Sequence, residues 1–176
     1  MEKLVHAPFI ASAVLTAFAV TAHAAPPDTP LALRLEHADF LAQFAEAAAT
    51  PGEVGDAARA VLPLFDAHAE AEESTVLPFL GIGNAVVGKD AMWRLEAELP
   101  RLSDATTGVI GALADLYAAA DGNGRPEIAR LAERAIWHEM ADIEVLYPAA
   151  ILAGSAAGTG MASAVAAHGG PASLGR

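Results

Sequence analysis

The chain of 176 residues has no cysteine. That absence removes disulfide staples, iron–sulfur clusters, thiolate zinc sites and cysteine nucleophiles together. Basic residues are scarce as well: 10 Lys and Arg stand against 22 Asp and Glu, a formal net charge of −12. A surface that neutralises phosphates needs the opposite sign, so no nucleic-acid partner is expected. Aromatic residues make up only 6% of the chain, with two Trp and two Tyr. Glycine-rich phosphate loops, the G-x-S-x-G elbow and H-E-x-x-H are all missing, which leaves several large enzyme classes without a foothold. What the chain does have is alanine in quantity and few β-branched runs, a composition suited to closely packed helices in one domain of ordinary size.

The first segment, 1–24, reads as a signal peptide. Lys3 supplies a basic start, Phe9 to Val20 is an apolar or small-residue run, and Ala22-His23-Ala24 resembles a cleavage site. Its twelve apolar residues would reach only ~18 Å as a helix, short of a ~30 Å bilayer core. Cleavage would leave a secreted or periplasmic protein with no membrane span; without it the chain would stay cytoplasmic, with an extra N-terminal segment. Residues 25–30 include Pro26, Pro27 and Pro30 and serve as a linker. At the other end, 154–176 turns to Ala, Gly and Ser and is expected to be disordered, with His168 a solvated residue in it.

Between them, 31–153 carries four helical patterns. Leu41, Phe44 and Ala48 recur at helical spacing before Thr50-Pro51-Gly52 ends the first. The second runs from about Val54 to Leu80, with Val61, Phe65, His68, Glu72 and Val76 on one stripe and a kink or break expected at Pro63. The third spans about Asp90 to Ala120, with a break expected at Pro100. Asp121-Gly122-Asn123-Gly124 is a turn, and Pro126 suits the start of a fourth helix to about Ala153. Short loops between amphipathic helices predict an all-α, up-down-up-down antiparallel four-helix bundle.

His68 and Glu72 are four residues apart and share a helix face, and His138 and Asp142 repeat the arrangement. Pro78 and Pro148 each follow their histidine by ten residues, so the chain contains a diverged internal duplication with an offset of 70. His37 and His68 are centred on the Pro51-Gly52-Glu53 turn, each ~23 Å from it along an antiparallel hairpin. Reflecting His138 through the second turn, at Gly122, gives Thr106. Positions 37, 68, 106 and 138 therefore form one layer, with Glu72 and Asp142 one helical turn away. Imidazoles and carboxylates at one level suit a nitrogen–oxygen metal site for iron, manganese or zinc. Burying Glu72 and Asp142 without cations would cost several kcal/mol each, and their stripes contain no Arg or Lys. Trp93 and Trp137 are expected in the core or at helix interfaces, Tyr147 in packing, and Glu70, Glu73, Glu139 and Glu144 on solvated outer faces.

Taken together, Arg34-Leu35-Glu36-His37, His68-x-x-x-Glu72-Glu73 leading to Pro78, and His138-x-x-x-Asp142 leading to Val145-Leu146-Tyr147-Pro148 make the chain resemble the haemerythrin-like (HHE cation-binding) family. The resemblance covers about Leu31 to Ala153. It implies a four-helix bundle with a non-haem di-iron centre, bridged by Glu72 and Asp142 and capped by His37, His68 and His138. It also implies binding of O2 or another diatomic ligand, redox sensing or iron handling. The chain departs from the family in helix three, where Thr106 stands in place of a histidine. Three readings follow. The di-iron site survives with an open position beside Thr106; or a single ion remains on His37, His68 and Glu72, with His138; or the bundle is a metal-free structural or protein-interaction module. A binding protein is expected rather than an enzyme, with an oxygen- or peroxide-consuming oxidase as the catalytic alternative.

Overall fold

The computed structural model describes residues 30–81 and 89–156. The expected signal at 1–24, nearly all of the linker, the loop at 82–88 and the tail from 157 lie outside the described residues.

Four long helices form the bundle: α1 (Leu31–Ala48), α2 (Glu53–Thr75), α3 (Lys89–Gly122) and α4 (Pro126–Ala141). The backbone of α4 widens into a π-helical segment at Asp142–Leu146 and then resumes as helix over 147–156. Consecutive helices pack side by side in up-down-up-down order, whereas α1 and α4 meet only sparsely. Among the described residues no helix is long and apolar enough to cross a membrane.

The first turn shows why the chain reverses where it does. Thr50 donates its hydroxyl to the Ala47 carbonyl at 2.7 Å, and Gly52 then takes φ 81°, a left-handed conformation that suits glycine. Gly55 allows the start of α2 to lie against that turn, because a Cβ there would stand 1.8 Å from the Thr50 carbonyl oxygen. Glu53 and Asp56 in the first turn of α2 complement the exposed N–H groups at its positive end.

The prolines behave differently from expectation. α2 runs unbroken through Pro63, and α3 through Pro100. The duplicated pair, in contrast, does perturb the backbone. α2 ends at Thr75, short of Leu80, and the chain tightens into a 3-10 turn at Leu77–Phe79 around Pro78. In the second copy, the helix widens just before Pro148, with the Tyr147 N–H bonded to the Asp142 carbonyl five residues back. A proline ring crowds the carbonyl four residues earlier and offers that carbonyl no N–H, so a locally wider turn relieves the clash.

The interior has three storeys. Near the two turns, Phe40, Phe44, Val61, Phe65, Leu113 and Leu116 belong to a large apolar cluster. At the far end, Val76, Leu95, Leu102, Tyr147 and Ala150 form a smaller one. Between them lie His37, His68, Glu72, Thr106, Glu139 and Asp142, all buried. The two tryptophans are not in the core: Trp93 is 70% exposed and Trp137 63%. Leu95 takes the inward position on the turn of Trp93. Trp137 lies about 100° around α4 from His138, over the thin α1–α4 seam, where no helix among the described residues covers it.

Phe44→Ala is therefore expected to destabilise the fold by about 3–5 kcal/mol in urea unfolding. Trp137→Ser should change stability by only about 0.5 kcal/mol or less, and a loss as large as that of Phe44→Ala would contradict the exposed placement.

Candidate metal centre

Three helices supply the polar layer. α1 contributes His37, α2 contributes His68 and Glu72, and α4 with its π-helical extension contributes His138, Glu139 and Asp142. The Nε2 atoms of His37 and His138 lie 3.1 Å apart, and Glu72 approaches His37 Nε2 at 3.2 Å. His68 Nε2 is 3.2 Å from a Glu139 oxygen, and His138 Nε2 is 3.5 Å from Asp142. All five residues singled out in the sequence, His37, His68, Glu72, His138 and Asp142, thus converge in the bundle interior.

Two residues expected on outer faces also belong here. Glu139 is 0% exposed. Its position continues the buried stripe Ile128, Ala132, Ala135, and it stands three residues before Asp142, so the spacing alone could have placed it inside. Glu73 is half-buried, accepting a hydrogen bond from Arg34 Nε at 2.8 Å and another from His37 Nδ1 at 3.0 Å. With the Nδ1 proton directed at Glu73, the lone pair of a neutral His37 points from Nε2 into the layer. Glu70 and Glu144 are exposed, as expected.

α3 contributes no imidazole and no carboxylate to the layer. Thr106 donates its hydroxyl to the Leu102 carbonyl at 2.9 Å, and the Tyr147 phenol, 3.3 Å away, donates to Thr106 in turn. Burial pushes the Tyr147 phenol up, and the charges of Glu72, Asp142 and Glu139 add to the effect, so it keeps its proton. Tyr147 is both a packing residue and a polar wall of the layer.

The layer's electrostatics are those of a site lacking counter-charge. Burial, reinforced by Asp142 and Glu72, pushes Glu139 up to about 9. Burial and Glu72 push Asp142 up to about 8, against the opposing pull of His37. Burial also lowers His68 and His138; at His37 it is outweighed by the adjoining Glu72 and Glu73, which raise that imidazole. Among the described residues no Arg or Lys forms an ion pair with Glu72, Glu139 or Asp142. Both ring nitrogens of His68, both oxygens of Glu72 and of Glu139, and Asp142 Oδ2 are buried without a hydrogen-bond partner. The close approaches to His37 and His68 are not aligned for hydrogen bonds.

A cation would supply what these atoms lack. Three overlapping donor sets have ligand atoms within 4.8 Å of one another: His37, Glu72 and His138; His68, Glu72 and Asp142; His138, Glu139 and Asp142. The layer is therefore able to coordinate a metal ion, and its imidazole–carboxylate chemistry suits iron, manganese or zinc. Two openings lead to it. A groove of about 490 Å³ between α1 and α4 reaches His138 and Asp142, and one of about 370 Å³ between α2 and α3 reaches His68. No family model, no curated protein and no solved structure matches the chain.

Glu139 and Asp142 hold protons near neutral pH in the folded, metal-free chain and release them on unfolding. Metal-free stability is thus expected to fall as pH rises from about 6.5 to 8, by about 1.4 kcal/mol per pH unit for each proton held only by the folded state. Adding excess Zn2+ at pH 7 in weak buffer should release about two carboxyl protons per chain, plus the share held by His37. Zinc uptake without proton release would contradict the raised carboxyl groups.

Proposed function

We propose that this chain is a haemerythrin-like protein that holds non-haem iron in its polar layer as a two-ion centre. Its role would be to present that iron to O2 or another small diatomic ligand, for binding or sensing rather than turnover. The observation that carries this reading is the set of three imidazoles and three carboxylates, five of them buried and His138 partly so, without a neutralising Arg or Lys. The duplicated His-x-x-x-carboxylate spacing favours two ions over one, because Glu72 and Asp142 each occur in two of the overlapping donor sets. Bound iron would supply a redox-active cation with room for a small exogenous ligand.

The chain's own residues prepare that role. Arg34 and Glu73 orient the His37 ring from outside. Phe65 and Phe40 wall the layer on the turn side, with ring centroids 6.1 Å from His37 and 5.4 Å from His138 respectively. That apolar wall excludes water and strengthens charge interactions inside the layer. On the α3 side, Thr106 and the protonated Tyr147 pair with each other and close the wall of the layer. The grooves at His68 and at His138 are routes by which a small ligand would enter. If 1–24 is cleaved as a signal, the work is done in the periplasm or outside the cell.

Reconstitution with Fe2+ followed by elemental analysis is expected to give about two iron atoms per chain, and azide should perturb the visible absorption of the oxidised protein. His68→Ala should lose at least about half of the iron, while Glu70→Ala, on the exposed face of the same helix, should lose none. Wild-type iron below about 0.3 per chain would overturn the proposal. Oxygen uptake with a reductant, abolished by Glu72→Ala, would instead move the protein from binder to oxidase.

A further inference from the structure

Without an imidazole on α3, the layer resembles a site that has lost a ligand. We infer that Glu139 fills the ligand role absent from α3, so that α4 and its π-helical extension provide three donors and α3 provides none. This rests on the reading of the layer as a metal centre.

Glu139 is fully buried, and neither of its carboxyl oxygens has a hydrogen-bond partner. It faces His68 across the interior at 3.2 Å, and His68 has no hydrogen-bond partner at either ring nitrogen. A structural role accounts poorly for this pair. A buried acid kept for packing needs an acceptor for its proton, and the preceding turns of the same stripe, Ala132 and Ala135, are apolar. Glu139 shares a donor set with His138 and Asp142, and the set of His68, Glu72 and Asp142 adjoins it through Asp142, so ions held there would give the orphaned carboxyl of Glu139 and a ring nitrogen of His68 their missing partner.

The α3 corner is already closed to a bulky ligand. Thr106 spends its proton on the Leu102 carbonyl and receives the Tyr147 phenol 3.3 Å away. The π-helical turn brings this about. In a regular helix, residue 146 would follow Asp142 on the inner face, but the wider turn puts buried Tyr147 there and leaves Leu146 partly exposed. Tyr147 thereby occupies the space beside Thr106, and the carboxylate of Glu139 reaches the layer from the preceding turn. The resulting set of three imidazoles and three carboxylates is richer in oxygen than one with a fourth imidazole from α3.

The test compares Glu139→Leu, Glu139→Gln and Thr106→His with the wild type, by iron content and by melting temperature with and without iron. Both Glu139 variants should hold about one iron per chain where the wild type holds about two. Metal-free Glu139→Leu should melt at or above the wild-type temperature, because an unsatisfied buried carboxyl has been removed, and should gain less from added iron. If Glu139→Leu fails to fold, Glu139→Gln gives the iron content alone. Thr106→His should not increase iron. Full iron in both Glu139 variants, or a gain in iron on Thr106→His, would overturn the inference while leaving the metal centre standing. A wild type without iron would defeat the metal centre itself, and this inference with it.

Discussion

The structure is organised around three carboxylates, Glu72, Glu139 and Asp142, held in one buried layer where, among the described residues, no Arg or Lys pairs with them. An uncompensated charge in such surroundings costs several kcal/mol, so the groups must stay protonated or meet a cation. Both responses are built into the surroundings. Glu139 and Asp142 titrate far above ordinary carboxylic acids, and three imidazoles face the three carboxylates at 3.2–3.5 Å. The apolar storeys above and below supply the stability that lets the layer exist. Phe44, Phe65 and Leu113 close it towards the turns, and Val76, Leu95 and Leu102 towards the far end.

Most of the layer is legible in the amino-acid sequence, because helix geometry is regular. The hairpin reflection that levels His37 with His68 and leads from His138 to Thr106 needs only the turn positions, and glycine and proline mark those plainly. The bundle and its helix order follow from the same punctuation. Glu139 escapes that reasoning for an identifiable reason: a charged residue beside His138 reads as solvent-facing, although it sits on the stripe of Ala132 and Ala135. Glu73 escapes it similarly, its half-buried setting being created by Arg34 from another helix. The tryptophans mislead in the opposite direction. Their apolar size suggests burial, while the thin α1–α4 seam leaves Trp137 open.

The duplicated proline shows how one local constraint reached two outcomes. Around Pro78 the chain tightened and α2 ended; before Pro148 it widened and the helix continued. Proline sterics favour a perturbed backbone, yet Pro63 and Pro100 leave their helices unbroken, so where and how the chain yields is settled by packing that sequence spacing does not report. The wider turn is the one that touches the layer. It lets Asp142 and Tyr147 face inward together and pairs the phenol with Thr106. Thr106 on α3 and the irregularity at the end of α4 are thus parts of a single arrangement.

Whether cations complete the buried layer is decided by one comparison: the melting temperature of iron-loaded protein against that of the same protein stripped by a chelator. Ligands that bind only the folded state raise its stability according to their affinity. Stripping is therefore expected to lower the transition by about 10 °C or more, and restoring iron to recover it. Identical melting curves before and after stripping, with metal removal verified by elemental analysis, would contradict a layer built for cations.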